Sequence, residues 1–205
     1  MITVIKSPFV QYKLTILRNK KTSNTVFRQT MNEISYLIAS DVLQYVPFKK
    51  QTIETPLKKM SGTALGQPII LVPILRAGLG LLEGFAKFLP EAEKGHIGLY
   101  RDEQTYEPVE YLFKLPRVKN KKVLILDPML ATGNSAVAAV QRIKDAGAKR
   151  IKFVCLLAAP EGLAAFSEQH PDVPIVTAAV DRELNDHAYI LPGLGDAGDR
   201  MYGTK

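Results

Sequence analysis

Apolar positions along this chain follow two rhythms, and the rhythms alternate. Ile69 to Leu75 (IILVPIL), Val123 to Leu126 and Ile151 to Leu157 are continuous apolar runs too short for helices. Such runs fit strands covered on both faces. His96 to Arg101 and Val173 to Val180 predict two further strands. Between the runs, apolar residues recur at spacings of three and four, the period of one helix face. Phe27, Met31, Ile34, Ile38, Val42 and Tyr45 predict a helix from Asn24 to Tyr45, ended by Pro47. Leu79, Leu82, Phe85 and Phe88 predict a second, and Pro160 to Gln169 another. Ala136, Val137, Val140 and Ile143 share one face of a helix whose C-terminal cap falls at Gly147. This β-α-β order predicts an α/β fold with a central, mostly parallel sheet flanked by helices.

Three stretches lie outside that scheme. The first twenty residues, with Val4, Ile5, Phe9, Val10, Leu14, Ile16 and Leu17, read as an arm that packs on the rest. Gln51 to Leu57 alternates weakly, as a strand would. Asp102 to Pro116 (DEQTYEPVEYLFKLP) is polar, and a hairpin of Gln104–Tyr106 with Val109–Lys114 would make a lid beside the strand ends. A plain surface hairpin is the alternative. Without repeats or linkers, residues 1–205 read as one domain. Its parts are an N-terminal arm and helix (1–50), a flexible hairpin (102–115) and a C-terminal segment (187–205).

Composition narrows the setting. With 46% hydrophobic and 23% charged residues in 205, the chain is expected to fold rather than remain disordered. No run is long enough to span a bilayer and no signal-peptide core is visible, so a cytoplasmic location is expected. The lone Cys155 sits in an apolar run and reads as a buried thiol. His96, His170 and His187 are scattered, and neither HExxH nor CxxC occurs, so no dedicated metal site is expected. A net charge of +7 favours anionic partners. The basic clusters Arg18-Lys20-Lys21, Lys49-Lys50, Lys58-Lys59 and Lys119-Lys121-Lys122 read mainly as solvated surface, with nucleic acid or an anionic effector as the alternative.

The chemistry concentrates at strand ends. After Val123–Leu126 come Asp127 and Pro128, then the small-residue loop Ala131-Thr132-Gly133-Asn134-Ser135, then a helix. A helix start leaves N–H groups unpaired and carries about half a positive charge, so small residues there can wrap a phosphate. Thr132 and Ser135 add hydroxyls. A carboxylate beside a phosphate implies a sugar hydroxyl or Mg²⁺ near Asp127. An ordinary strand–turn–helix with a structural Asp is the alternative. Arg76 and Arg101 each stand at the exit of a strand, where a guanidinium suits bidentate contact with phosphate. For Arg76, an ion pair with Glu83 is the competing role. No GxxxxGK[ST] occurs. A GxGxxG does, at Gly193, Gly195 and Gly198, but the sequence stops at Lys205, so neither a following helix nor a ribose-binding acid is expected. Those glycines, with Asp196 among them, let backbone approach a ligand.

The segments ILRAG (74–78), YRDEQTYEPVEYLFKLP (100–116), DPMLATGNS (127–135) and YILPGLGDAGDR (189–200) together resemble the uracil phosphoribosyltransferase family. The resemblance runs from the SPFVQYKL arm to the GTK ending. It implies a type I phosphoribosyltransferase fold and transfer of a phosphoribosyl group from phosphoribosyl pyrophosphate (PRPP) to uracil. By the same resemblance, Asp127, Pro128, Met129, Leu130, Ala131, Thr132, Gly133, Asn134 and Ser135 bind the donor's ribose and 5′-phosphate. Arg76 and Arg101 contact its pyrophosphate. Uracil is read by backbone at Ile190, Gly195, Asp196 and Ala197, with Asp196 also facing the donor. Asp127, Arg76, Arg101 and Asp196 are then the catalytic set. Mg²⁺ arrives with the pyrophosphate, the chain forms a homo-oligomer, and GTP is an effector in some relatives.

Two departures from the family pattern stand out, one in the loop and one in the arm. Asn134 stands where Gly is usual, and Asn is the best substitute if φ is positive there. Ser7 and Tyr12 replace histidines of the arm. Two rival readings are an RNA-binding pyrimidine regulator on the same fold and a transferase for a purine base. The GDAGDR tail has no explanation in the first.

Overall fold

Each continuous apolar run is a strand of one sheet, because only a strand with helices on both sides hides every side chain. The computed structural model describes residues 1–44, 46–101 and 108–204. The chain starts with β1 (Ile2–Val4), α1 (Pro8–Arg18), α2 (Asn24–Leu43), β2 (Phe48–Glu54) and β3 (Lys59–Leu65). It continues through β4 (Ile69–Leu75), α3 (Leu79–Phe88), β5 (Glu93–Lys94), β6 (His96–Arg101) and β7 (Pro108–Lys114). Next come β8 (Lys122–Leu126), β9 (Met129–Leu130), α4 (Asn134–Asp145), β10 (Ile151–Ala158) and α5 (Pro160–Gln169). Last are β11 (Ile175–Val180), β12 (Glu183–Leu184), β13 (Ile190–Leu191) and α6 (Ala197–Tyr202).

The main sheet runs β1-β11-β10-β8-β4-β6-β7, parallel except for the β6–β7 pair. Alternate residues feed two cores. Ile70, Val72, Ile125 and Phe153 face one side, with Ala139, Val140 and Ile143 of α4 and Phe166 of α5. Leu71, Leu124, Leu126 and Val154 face the other, with Leu14, Phe27, Ile34 and Phe85 of α1, α2 and α3. Pro73 is accommodated inside β4 because it falls between the residues bonded to β5 (Ile70, Leu71) and those bonded to β6 (Ile74, Leu75). Among the described residues, no helix is long and apolar enough to cross a membrane.

Several expectations need correction. Of the expected hairpin, Gln104–Tyr106 lies outside the described residues, and the strand Val109–Lys114 is the described arm. It lies antiparallel on β6, with Ile97 opposite Phe113, because Phe113 packs on the sheet core. Residues 102–107 lie outside the described residues. The α2 helix ends at Leu43, and Tyr45 also lies outside the described residues. Residues 48–65 form a two-stranded ribbon rather than one weak strand at 51–57. The arm is β1 plus α1; Val10, Leu14 and Leu17 are buried, whereas Phe9 is 70% exposed. A short helix does form at the C-terminal glycines: α6 starts at Ala197, after Gly193 and Gly195, and includes Gly198, capped by the Asp196 carboxylate accepting from Asp199 N.

Candidate active site

Strand β8 delivers Asp127 to the carboxyl edge of the sheet, where open α/β sheets bind ligands. The loop after it is fastened to β10: Asp127 N donates to Val154 O, Leu156 N and Leu157 N to Pro128 O, and Ala159 N to Leu130 O. Pro128 and Met129 therefore leave the strand without loosening the loop. Gly133 precedes α4 with φ 90, a left-handed value that L side chains rarely adopt. No residue at 134 needs positive φ: Asn134 is the first residue of α4, and the left-handed turn belongs to Gly133. That explains why Asn is tolerated without invoking a glycine-like backbone. Gly133 has no side chain to cap α4, so the helix opens with backbone donors free for an anion. Thr132 Oγ1 lies 3.5 Å from Asn134 N.

The opposite wall comes from the C-terminal segment. Asn185 Oδ1 accepts from His187 N at 3.0 Å and Tyr189 N at 2.8 Å, which curls residues 185–189 into a tight turn. β13 then pairs Ile190 with Leu184. Gly193 has φ 60, and a Cβ there would sit 2.0 Å from Ile190 O, so only glycine fits that corner. Two arginines clamp the corner to α1. Arg18 makes a bidentate pair with Asp181 at 2.6 and 2.7 Å and donates to Gly193 O at 2.9 Å, while Gly193 N donates to Asp181 Oδ2. Arg200 donates to Leu17 O, to Leu194 O at 2.7 Å and to Asn19 O at 2.8 Å. Arg18, expected on the solvated surface, is thus part of the scaffold.

Together the walls enclose a cavity of about 400 Å³. Asp127, Met129, Leu130, Ala131, Thr132, Gly133 and Ser135 of the donor loop line one side. Ile190, Gly195, Asp196 and Ala197 line the other. Pro128 and Asn134 are not on its wall. Arg76 follows β4 beside the lining residue Ala77; its guanidinium is 3.7 Å from Asp199 and lies over the Tyr202 ring, rather than pairing with Glu83. Tyr202 Oη donates to Arg76 O, so α6 holds this arginine from two sides. Arg101 ends β6, and its side chain lies outside the described part of the structure. The sequence reading missed Ala77, Ala136, His187 and Ala188 as lining residues. The signal for Ala77 was its place beside Arg76, for Ala136 its place after the small-residue loop, and for His187 and Ala188 adjacency to the C-terminal binding segment.

Electrostatics single out Asp127. Burial, with the neighbouring Asp196 charge adding to it, pushes its carboxyl up from 3.8 to about 7 against the pull of the Met129 N–H. Such a group invites a hydroxyl donor or a cation. Among the described residues no three His, Cys, Asp or Glu side chains cluster to cage a metal ion. Two carboxylates, Asp127 and Asp196, do share the cavity.

A sequence model described as uracil phosphoribosyltransferase matches residues 4–204. The uracil phosphoribosyltransferase of Variovorax paradoxus (strain S110) is 54% identical over 206 aligned residues, covering 100% of this chain and 99% of that protein. This chain belongs to the uracil phosphoribosyltransferase family. Another member, from Legionella pneumophila (strain Paris), is 55% identical and covers 100% of this chain and 96% of its own length. The AQ2163 protein of Aquifex aeolicus superposes with a TM-score of 0.96 at 37% identity, covering 100% and 99% of the two chains. A purine phosphoribosyltransferase from Pyrococcus horikoshii Ot3 matches at a TM-score of 0.51 and 18% identity, over 75% of this chain and 87% of that one. That likeness concerns the fold alone; family membership rests on the full-length matches.

Proposed function

We propose that the protein transfers the 5-phosphoribosyl group of PRPP to N1 of uracil, giving uridine monophosphate (UMP) and pyrophosphate. One observation carries the reading: the anion loop at the start of α4 and the glycine-rich segment before α6 line a single cavity. A sugar phosphate on the first is then within reach of a flat base on the second. The 5′-phosphate would take the free N–H groups of α4 and the Thr132 and Ser135 hydroxyls. Asp127 would accept from a ribose hydroxyl. Uracil's amide-like edge would pair with main-chain groups at Ile190 and at Gly195 to Ala197.

As the bond from C1′ to pyrophosphate breaks ahead of attack, positive charge builds on the ribose and negative charge on the leaving group. Arg76 and Arg101 are assigned to the leaving group, and an ionised Asp127 lies on the ribose side. Holding N1 against C1′ contributes several kcal/mol of barrier reduction. The oxygen donors of Asp127 and Asp196 fit a hard cation that keeps substrate phosphates as further ligands, as Mg²⁺ does. When bound with the pyrophosphate, Mg²⁺ supplies charge neutralisation on the leaving oxygens.

Incubating the protein with PRPP, Mg²⁺ and radiolabelled uracil or hypoxanthine tests both activity and base choice. UMP from uracil alone is expected; a purine nucleotide alone would overturn the reading. In the same reading the enzyme works in the cytoplasm as a homo-oligomer with GTP as an effector. Sedimentation velocity and turnover with and without GTP test the last two.

A further inference from the structure

A second cleft, of about 680 Å³, opens at the other end of the sheet. Its walls are the segment between β7 and β8 and the turn between α4 and β10, so it sits at the amino ends of β8 and β10. Strand β8 has five residues, which at about 3.3 Å each put roughly 15 Å of strand between this cleft and Asp127. Among the described residues five cations line it, Arg117, Lys119, Lys121, Lys149 and Arg150, and no acidic residue does.

Little among the described residues offsets this charge. Lys121 pairs with Glu93, and Arg150 donates to the neutral Gln67 amide oxygen. Arg117, Lys119 and Lys149 are exposed and have no ion pair among the described residues. Lys122 and Lys152, just behind the cleft, both have ammonium pKa values below the ordinary one. Burial is the first cause in each, and a neighbouring cation the second, Arg150 for Lys122 and Lys122 for Lys152. The C-terminus of α4 faces the cleft and brings about half a negative charge, less than one of the five cations.

The shape selects among anions. The left-handed turns at Asn120 (φ 63) and Gly147 (φ 92) fix the two walls, and Phe113, Leu115 and Val118 supply apolar surface between them. The volume falls within the roughly 300–1,000 Å³ range of small-molecule pockets. Single-stranded nucleic acid needs an extended groove with aromatic faces for stacking. The aromatic ring here, Phe113, already carries the Arg142 guanidinium at 4.1 Å.

We propose that this cleft is a second anion site, taking a compact polyphosphorylated small molecule through Arg117, Lys119 and Lys149. The ligand is a free oligophosphate or the phosphate tail of a nucleotide. Titration of the ¹⁵N-labelled full chain with inorganic tripolyphosphate at low ionic strength tests it. Saturable amide shifts are expected at Asn120 and Gly147, separate from those at Gly133. Lys119→Glu combined with Lys149→Glu should weaken the Asn120 and Gly147 response at least tenfold, and the milder Gln pair by less. Neither pair should alter the Gly133 response or turnover of PRPP and uracil. Adenosine triphosphate as a second probe distinguishes the sources: equal affinity assigns binding to phosphates, and tighter affinity adds the apolar wall. No saturable shift at Asn120 and Gly147, or a response unchanged in the double variants, would overturn the proposal. So would a single-stranded RNA oligomer binding there when tripolyphosphate does not. Failure of uracil transfer with the cleft response intact would count against the transferase reading and leave this site standing.

Discussion

Asp127→Asn separates what Asp127 does for catalysis from what it does to stability. In the free protein its carboxyl is raised from 3.8 to about 7, chiefly by burial. Below about pH 4 the group is protonated both folded and unfolded, so it costs nothing. As pH rises from there to about 7, the unfolded chain ionises it while the folded chain holds the proton, and stability falls. Above about 7 the loss is complete. At about 1.4 kcal/mol per pKa unit, the shift corresponds to at most about 4 kcal/mol. Asp127 keeps partial contact with the cavity, so water relieves some of that figure.

Asparagine removes the charge and retains an oxygen to accept from Met129 N, the bond observed at 3.4 Å. The variant should match the wild type in urea denaturation near pH 4 and exceed it near pH 8. Each kcal/mol should raise the melting midpoint by roughly 2–4 °C in a chain of this size. Turnover should meanwhile fall roughly 10²–10³-fold, the scale for losing one placed electrostatic group. The acid limb of kcat/KM for PRPP, expected near pH 7 in the wild type, should disappear. A variant less stable than the wild type at pH 8, or a stability difference that does not change with pH, would refute the electrostatic account. Near-normal turnover would remove Asp127 from the reaction.

Arg76→Ala should weaken pyrophosphate binding by about 1.5–3 kcal/mol, tenfold or more, and calorimetry showing unchanged affinity would exclude its proposed contact. Asp181→Ala leaves Arg18 without its bidentate partner and frees Gly193 N, so it should lower stability by about 3 kcal/mol and raise the KM for uracil more than it lowers kcat. Equal urea midpoints would show that the clamp is ornamental. Gly133→Val forces a β-branched residue to φ 90 with its Cβ 3.1 Å from Gly162 O, and should destabilise by about 1–3 kcal/mol while raising the KM for PRPP. A thermal melt and a PRPP titration check both.

What the sequence revealed and what it hid follow from burial. β4, β8 and β10 are buried almost throughout, so composition alone marked them. β2 is exposed along its whole length and β3 carries Ser61, Gly62 and Thr63, so only a weak alternation at 51–57 marked one strand of the ribbon and nothing marked the other. Val109 to Lys114 was legible as a strand, but sequence spacing does not say which edge a strand will join. Phe113, packed on the core, decides for β6. At the site, the donor loop was legible because one stretch carries strand, acid, turn and helix together. The base segment was legible only as glycines around Asp196. Its geometry depends on partners 163–183 residues away in sequence, Arg18 on Asp181 and Arg200 on Leu17, and no local pattern encodes those bonds. The arm at the start of the chain therefore earns its place by fixing the far end. If so, deleting residues 1–6, which removes β1 but spares α1, should leave uracil binding nearly intact, whereas Arg18→Ala should impair it although Arg18 is not among the residues lining the cavity.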